Sequence, residues 1–109
     1  MIHYKNLNVL VTGSNGFIGN GLVRKLMALG SNVYEADLEN GIDITNLDSL
    51  LKFKKIDLVF HLAAKTFVPD SWSNPIRTYE INTIGTLNIL EFCRRSNSKL
   101  IFPSTYVYG

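Results

Sequence analysis

The segment Val9-Leu10-Val11-Thr12-Gly13-Ser14-Asn15-Gly16-Phe17-Ile18-Gly19 restricts what this chain can fold into more than any other stretch. An apolar run enters a turn with glycine at every third position, and an amphipathic helical pattern leaves it. Unbroken apolarity over residues 9–11 suits a strand covered on both faces. Each glycine has a physical task at a junction that receives an anion. Gly13 permits the tight turn, Gly16 keeps a Cβ out of the way of phosphates, and Gly19 lets the helix lie close on the sheet. The helix start then offers unpaired N–H groups and a partial positive charge. The spacing is G-x-x-G-x-x-G, whereas the commonest dinucleotide fingerprint is G-x-G-x-x-G, so a purely structural turn is the competing reading. No Gly-Lys-Ser/Thr ending follows, which argues against a triphosphate-binding P-loop.

Strand and helix patterns alternate along the rest of the chain. Residues 8–12 read as the first strand. A helix over 16–29 follows, with Ile18, Leu22, Leu26 and Leu29 on one side and Gly30 as its stop. Gly21 in its interior costs roughly 1 kcal/mol relative to alanine, which close packing would explain. Residues 32–36 form the second strand, and 41–44 (Gly-Ile-Asp-Ile) are a candidate third. Thr45 or Asn46 caps a helix to about Phe53, with Asp48 in its first turn. The next strand is 56–62. After a loop containing Pro69, Trp72 and Asn74, a long helix begins at Pro75, capped by Ser73 or Asn74, and reaches about Ser96. The last strand is 99–103. This alternation predicts an α/β fold: a doubly wound (Rossmann-type) parallel sheet, incomplete, of four to five strands with helices on both faces. One irregularity stands out. Leu38-Glu39-Asn40 leave too little chain for the usual crossover helix before 41–44.

Composition narrows the function classes. With 109 residues, 46% of them apolar, the chain has material for one domain with a real core. Its net charge of +2 comes from interspersed acids and bases, so no basic tract points to nucleic acid. Cys93 is the single cysteine, which excludes a disulfide framework or a cysteine metal site. His3 and His61 have no cluster of ligands around them, and no metal is expected. Neither a signal-peptide region nor a bilayer-length apolar run is present, so a soluble, cytoplasmic protein without a membrane partner is expected.

Asp37 ends the second strand, where an acid about twenty residues past the glycine turn accepts hydrogen bonds from an adenosine ribose. Its charge would repel a 2′-phosphate, favouring NAD over NADP. Glu35 and Glu39 are the rival acids, and a solvated surface carboxylate is the plain alternative. His61 reads as a buried, hydrogen-bonded histidine.

Four motifs occur in order: 12–19 (Thr-Gly-Ser-Asn-Gly-Phe-Ile-Gly), 61–64 (His-Leu-Ala-Ala), 82–86 (Asn-Thr-Ile-Gly-Thr) and 104–109 (Ser-Thr-Tyr-Val-Tyr-Gly). Together they resemble the N-terminal part of the extended short-chain dehydrogenase/reductases, the NAD-dependent sugar-nucleotide epimerase/dehydratase family. The resemblance covers essentially the whole chain. It implies that Gly13, Asn15, Gly16 and Gly19 hold the NAD pyrophosphate, with Phe17 and Ile18 filling the floor beside it. It also implies that Asp43 bonds the adenine amino group while Ile44 packs on the ring, although Asp43 could instead belong to the approach of the next helix. Leu62, Ala63 and Ala64 would line the ribose and phosphate track, and Lys65 or Thr66 would reach the nicotinamide ribose. Asn82 would face the cofactor cleft, with a satisfied core amide as the alternative. Ser104 would be the catalytic hydroxyl beside the sugar, against a plain strand-end serine. Thr105 and Tyr106 stand where dehydratase relatives often carry Asp and Glu, which favours epimerase or simple oxidoreductase chemistry. A sugar nucleotide is the implied substrate, and the helix over 75–96 the implied homodimer contact.

One family element is missing. The Tyr-x-x-x-Lys pair, in which lysine lowers the tyrosine pKa for proton abstraction, does not occur in these residues. In relatives it follows the 104–109 motif. Residues 1–109 are therefore expected to be the N-terminal portion of an NAD-binding domain, without the substrate domain and inactive alone. A keto-deoxysugar-nucleotide reductase, or a non-catalytic dinucleotide-binding module, are the other readings.

Overall fold

A computed structural model describes residues 3–62 and 74–101. Strand β1 (Asn8–Thr12) is buried along nearly its whole length, and Val9, Leu10 and Val11 have no exposed surface. Helix α1 (Phe17–Ala28) follows it, then strand β2 (Asn32–Ala36). A short helix α2 (Leu47–Leu50) leads to β3 (Leu58–His61). The long helix has three parts: α3 (Pro75–Tyr79), a π-helical segment (Glu80–Gly85) and α4 (Thr86–Ser96). Strand β4 (Lys99–Ile101) is the last described element.

The four strands are parallel, in the order β2-β1-β3-β4. The chain steps from β1 outward to β2, crosses back over β1, and continues from β3 to β4 on the other side. That reversal makes the carboxyl ends of β1 and β3 the topological switch point, where sheets of this kind receive ligands. Alternate residues of β1 feed two cores. Val9 and Val11 pack with Val23 and Leu26 of α1 on one face. Leu10 packs with Leu50, Val59, Ile81, Ile89 and Phe92 on the other. The sheet is thus covered on both faces, as the alternating pattern predicts.

Several local expectations change. Residues 41–44 form no strand, because their backbone groups are already engaged. The Ile42 N–H donates to the Asp37 carbonyl at 3.0 Å, Asp43 O accepts the Asn46 N–H at 2.9 Å, and Ile44 O accepts the Asn88 amide at 2.8 Å. The crossover helix is replaced by a 3₁₀ turn (Leu38–Asn40) closed by Gly41 at φ +79°, and by α2. Asn46, not Thr45, caps α2 by accepting the Asp48 N–H. That helix ends at Leu50, short of Phe53, because the chain turns back through Lys55 at φ +57° to enter β3. The strand expected over 56–62 is Leu58–His61, flanked by ladder bonds at Asp57 and Leu62.

The inward stripe of α1 is Gly19, Val23 and Leu26, whereas Ile18 and Leu29 are exposed. Gly21 meets nothing within 4 Å, so packing does not account for it. Gly30 does stop the helix. It sits at φ +89°, with Gly30 N–H on Met27 O and Ser31 N–H on Leu26 O, the paired bonds of a Schellman motif.

Candidate functional site

The glycine turn is shaped by backbone contact. Gly13 adopts φ +70° and its N–H donates to Ala36 O at 2.9 Å, tying the end of β1 to the end of β2. A Cβ at Gly19 would collide with the Gly13 carbonyl and stand 2.9 Å from Ser14 Cα, so no side chain fits there. No side chain caps α1 at Gly16, and no acid stands in its first turn. The positive end of a twelve-residue helix therefore remains available to an anion. The turn also buries Ser14 Oγ without a hydrogen-bond partner, leaving hydrogen-bonding capacity beside Gly13. A dinucleotide's pyrophosphate fits these groups.

Asp37 directly follows β2 beside that turn. Its Oδ2 accepts the Asn15 N–H at 3.2 Å and its Oδ1 accepts the Glu39 N–H at 3.1 Å. Asn15 also donates its side-chain amide to Glu39 at 2.9 Å. Of the three neighbouring acids, Asp37 lines the cavity described next.

A cavity of about 220 Å³ opens at the switch point. Its lining takes Gly13 and Gly16 from the glycine turn, Leu62 from just after β3, and Ala36, Asp37 and Leu38 from the end of β2 and the turn after it. Ile42, Asp43, Ile44, Arg77 and Ile81 form the rest. Thr45 donates both its N–H (3.0 Å) and its hydroxyl (2.7 Å) to Asp43 Oδ1, and Arg77 reaches Asp43 Oδ2 at 3.3 Å. Burial works to raise the Asp43 pKa, but the Thr45 hydrogen bonds and the Arg77 guanidinium outweigh it and hold the carboxyl below its ordinary value. The ion pair is about one-third exposed on both sides, so its worth to stability is small, about 0–1 kcal/mol. Ile44 is almost fully buried, and its side chain fills the space a Cβ on Gly85 would need.

Arg77 reaches this cavity because of the helix that carries it. Asn74 caps α3 by accepting the Arg77 N–H at 3.2 Å, with Pro75 in the first turn. Arg77, Ile81, Gly85 and Ile89 recur every four residues. In an ideal α-helix each such interval drifts by about 40°. The wider π turn over Glu80–Gly85 takes back part of that drift, so Arg77 and Ile81 face the cavity while Ile89 stays in the core.

His61 ends β3 directly opposite Thr12 in the ladder. Its Nδ1 lies 2.7 Å from Thr12 Oγ1 and its Nε2 lies 3.2 Å from Thr86 Oγ1. Burial pushes its pKa down to about 4, so the imidazole is neutral near pH 7. It joins β1, β3 and α4 as a buried, hydrogen-bonded group, in keeping with its sequence reading. Thr12 Oγ1 also accepts the Leu62 N–H at 3.0 Å, which fixes the start of the segment after β3.

The structure therefore brings Gly13, Gly16, Asp37, Asp43, Ile44 and Leu62 to one cavity. Gly19 supports the turn from behind, and Asn15 bridges it to the end of β2. Phe17 and Ile18 do not form a floor: their side chains are 97% and 68% exposed, because the inward positions of α1 belong to Gly19, Val23 and Leu26. Asn82 is half-buried in the π segment and does not line this cavity. Ala63, Ala64, Thr66 and Ser104 lie outside the described residues. Sequence reading missed Arg77, whose signal was its place four residues before Ile81 on a helix opened by Asn-Pro. Among the described residues no group of His, Cys, Asp and Glu could hold a metal ion, and no helix is long and apolar enough to cross a membrane.

Fold and site together define a Rossmann-type α/β unit with a cavity at its topological switch point. The sequence profile of the NAD dependent epimerase/dehydratase family matches residues 9–109, and the chain belongs to that family. It is 40% identical over 111 residues to a GDP-6-deoxy-D-talose 4-dehydrogenase of Aggregatibacter actinomycetemcomitans, covering 94% of this chain and 37% of that protein. Among solved structures it is similar to an epimerase of Methanothermobacter thermautotrophicus, with TM-score 0.85 and 30% identity over 97% of this chain and 38% of the other. It is likewise similar to the Thermus thermophilus UDP-glucose 4-epimerase in complex with NAD, with TM-score 0.79 and 35% identity over 91% and 38%. The chain thus spans well under half the length of these relatives.

Proposed function

We propose that residues 1–109 are the NAD-binding portion of a sugar-nucleotide oxidoreductase of the epimerase type, with the substrate domain outside these residues. The observation that carries this reading is the single cavity joining the glycine turn, the Asp37 carboxylate and the Asp43–Ile44 pair at the switch point. When bound, NAD supplies reversible two-electron oxidation of a sugar carbinol. The chain's residues bind and orient. Gly13, Gly16 and the open start of α1 take the pyrophosphate, with Gly19 and Asn15 holding the turn and the backbone of Phe17 and Ile18 adding its N–H groups. Asp37 takes the adenosine ribose and repels a 2′-phosphate. Asp43 and Ile44 take the base. Leu62, Ala63 and Ala64 would line the ribose and phosphate track, Thr66 would reach the nicotinamide ribose, Asn82 would face the cofactor cleft, and Ser104 would hold the sugar hydroxyl. The proposed compartment is the cytoplasm.

Titration of the full-length protein with NAD and NADP tests this reading. Saturable NAD binding, weakened about tenfold or more by Asp37→Ala (about 1.4 kcal/mol), is expected. A folded protein that shows no saturable NAD signal would overturn it.

A second reading is favoured by the short connection after β2, where a 3₁₀ turn replaces a helix, and by the deoxyhexose dehydrogenase relative. In that reading the whole protein reduces a keto-deoxysugar nucleotide. Net consumption of NADH with such a substrate separates it from an epimerase, which leaves the NAD pool unchanged.

We also propose that the helix over 75–96 pairs two copies. Ile84, Leu87 and Leu90 recur on its outer side and are 40–59% exposed, with Ile76 more exposed still. Leu87→Glu together with Leu90→Glu should convert a dimer to a monomer in sedimentation velocity.

A further inference from the structure

We infer that Arg77 is a base-reading residue: with Asp43 it presents a donor and an acceptor side by side in the cavity wall, a pair that selects a 6-aminopurine over a 6-oxopurine. This rests on the dinucleotide reading above and adds to it a residue with no assigned role.

Three observations converge on Arg77. Its Nη2 lies 3.3 Å from Asp43 Oδ2, so a guanidinium donor and a carboxylate acceptor are held at one point of the cavity wall. Among the described lining residues Arg77 is the only cation, facing a wall otherwise made of Leu38, Ile42, Ile44 and Ile81 around Asp43. Such a wall takes a flat, largely apolar ring with a few polar atoms on its edge. The hydrogen bonds from Thr45 occupy Asp43 Oδ1, which leaves Oδ2, the oxygen that Arg77 steers, for a ligand.

The edge chemistry then decides which ring fits. A 6-aminopurine offers an N–H donor at N6 next to ring-nitrogen acceptors. The carboxylate accepts the first and the guanidinium donates to the second. A 6-oxopurine replaces the donor with an oxygen, which would face the carboxylate lone pairs. Arg77 therefore acts in two ways, as a ligand to the ring and as the group that aims Asp43. Arginine suits both tasks because its planar fork donates in fixed directions and can lie against a ring face.

The test uses the full-length protein, NAD, and the same dinucleotide carrying hypoxanthine in place of adenine, with binding read by calorimetry. Wild type is expected to prefer NAD by about tenfold or more. Arg77→Met is expected to weaken NAD by about tenfold and to flatten the preference, and Arg77→Lys to restore part of the affinity. Thermal unfolding of each variant shows that it is folded. The inference is overturned if Arg77→Met binds both dinucleotides as wild type does. Equal loss of both with the preference kept also overturns it, since a merely structural arginine would act that way. Wild type that binds NAD and the hypoxanthine form alike overturns it while leaving the dinucleotide reading intact. Wild type that binds neither sinks the dinucleotide reading itself.

Discussion

Two parts of the cavity wall are built by different means. At the glycine turn, neighbours in sequence do the work: Gly13, Gly16 and Gly19 shape seven consecutive residues, and the closest contacts are backbone on backbone. Elsewhere in its wall, Asp43 and Arg77 are 34 positions apart and meet through side chains carried by a turn and a helix. The first kind of site admits no side chain at Gly19, although a Cβ at Gly16 would meet the Gly13 carbonyl at an ordinary 3.4 Å. The second is adjustable, since side chains can shift where backbone cannot.

Substitutions can break or sharpen that contrast. Gly19→Ala places a methyl group against the Gly13 carbonyl, with no flexible neighbour to yield. A loss of about 3 kcal/mol is expected, read as a lower urea midpoint, together with loss of dinucleotide binding. Retention of wild-type stability would show the turn to be as adjustable as the other part.

His61 links β1 to α4, bonded to Thr12 on one side and Thr86 on the other. The unfolded imidazole takes up a proton near pH 6.5, while the folded one resists until about pH 4. Its contribution is therefore intact above pH 6.5 and declines as pH falls toward 4, by on the order of 3 kcal/mol. Denaturation midpoints at pH 7 and 4.5 should show that drop, and His61→Gln should flatten it.

Gly85→Ala tests the adjustable part. Its Cβ would come within 2.5 Å of Ile44 Cδ1, the tip of a side chain. A milder loss of roughly 1–2 kcal/mol is expected, with much of it recovered in the double variant with Ile44→Val. Additive losses in that cycle would mean the contact is not the cause. The smallest effect has the opposite sign. Gly21 is exposed and unconstrained on α1, so Gly21→Ala should add about 1 kcal/mol to stability and leave binding unchanged.

The same contrast explains what could be read from the amino acids. β1 was legible because a strand buried on both faces is an unbroken apolar run, Val9–Val11; β2, an edge strand with Asn32 and Tyr34 exposed, was legible from its bounds, Gly30 before it and Asp37 after it. The glycine turn and Asp37 were legible for the same reason: local spacing encodes them. Residues 41–44 misled because two isoleucines flanking Asp43 look like a strand, whereas both side chains enter the core from a turn. The stripe on α1 was misplaced by counting apolar residues. Gly19 takes an inward position precluded to any larger side chain, which rotates Phe17 and Ile18 outward. Arg77 was missed because its partner lies across the fold and nothing in the local pattern signals a widened helical turn; its place four residues before Ile81 was the one local signal.

That widened turn has its own consequence. It works as a phase shifter between two stretches of one helix, the later seated by Ile89 and Phe92 and the earlier facing the cavity. A π turn carries one residue more than an α turn, so removing one residue within 80–85 would let the segment run on as α-helix with the guanidinium still facing the cavity. Straightening the turn at full length would instead swing it away by on the order of 100°.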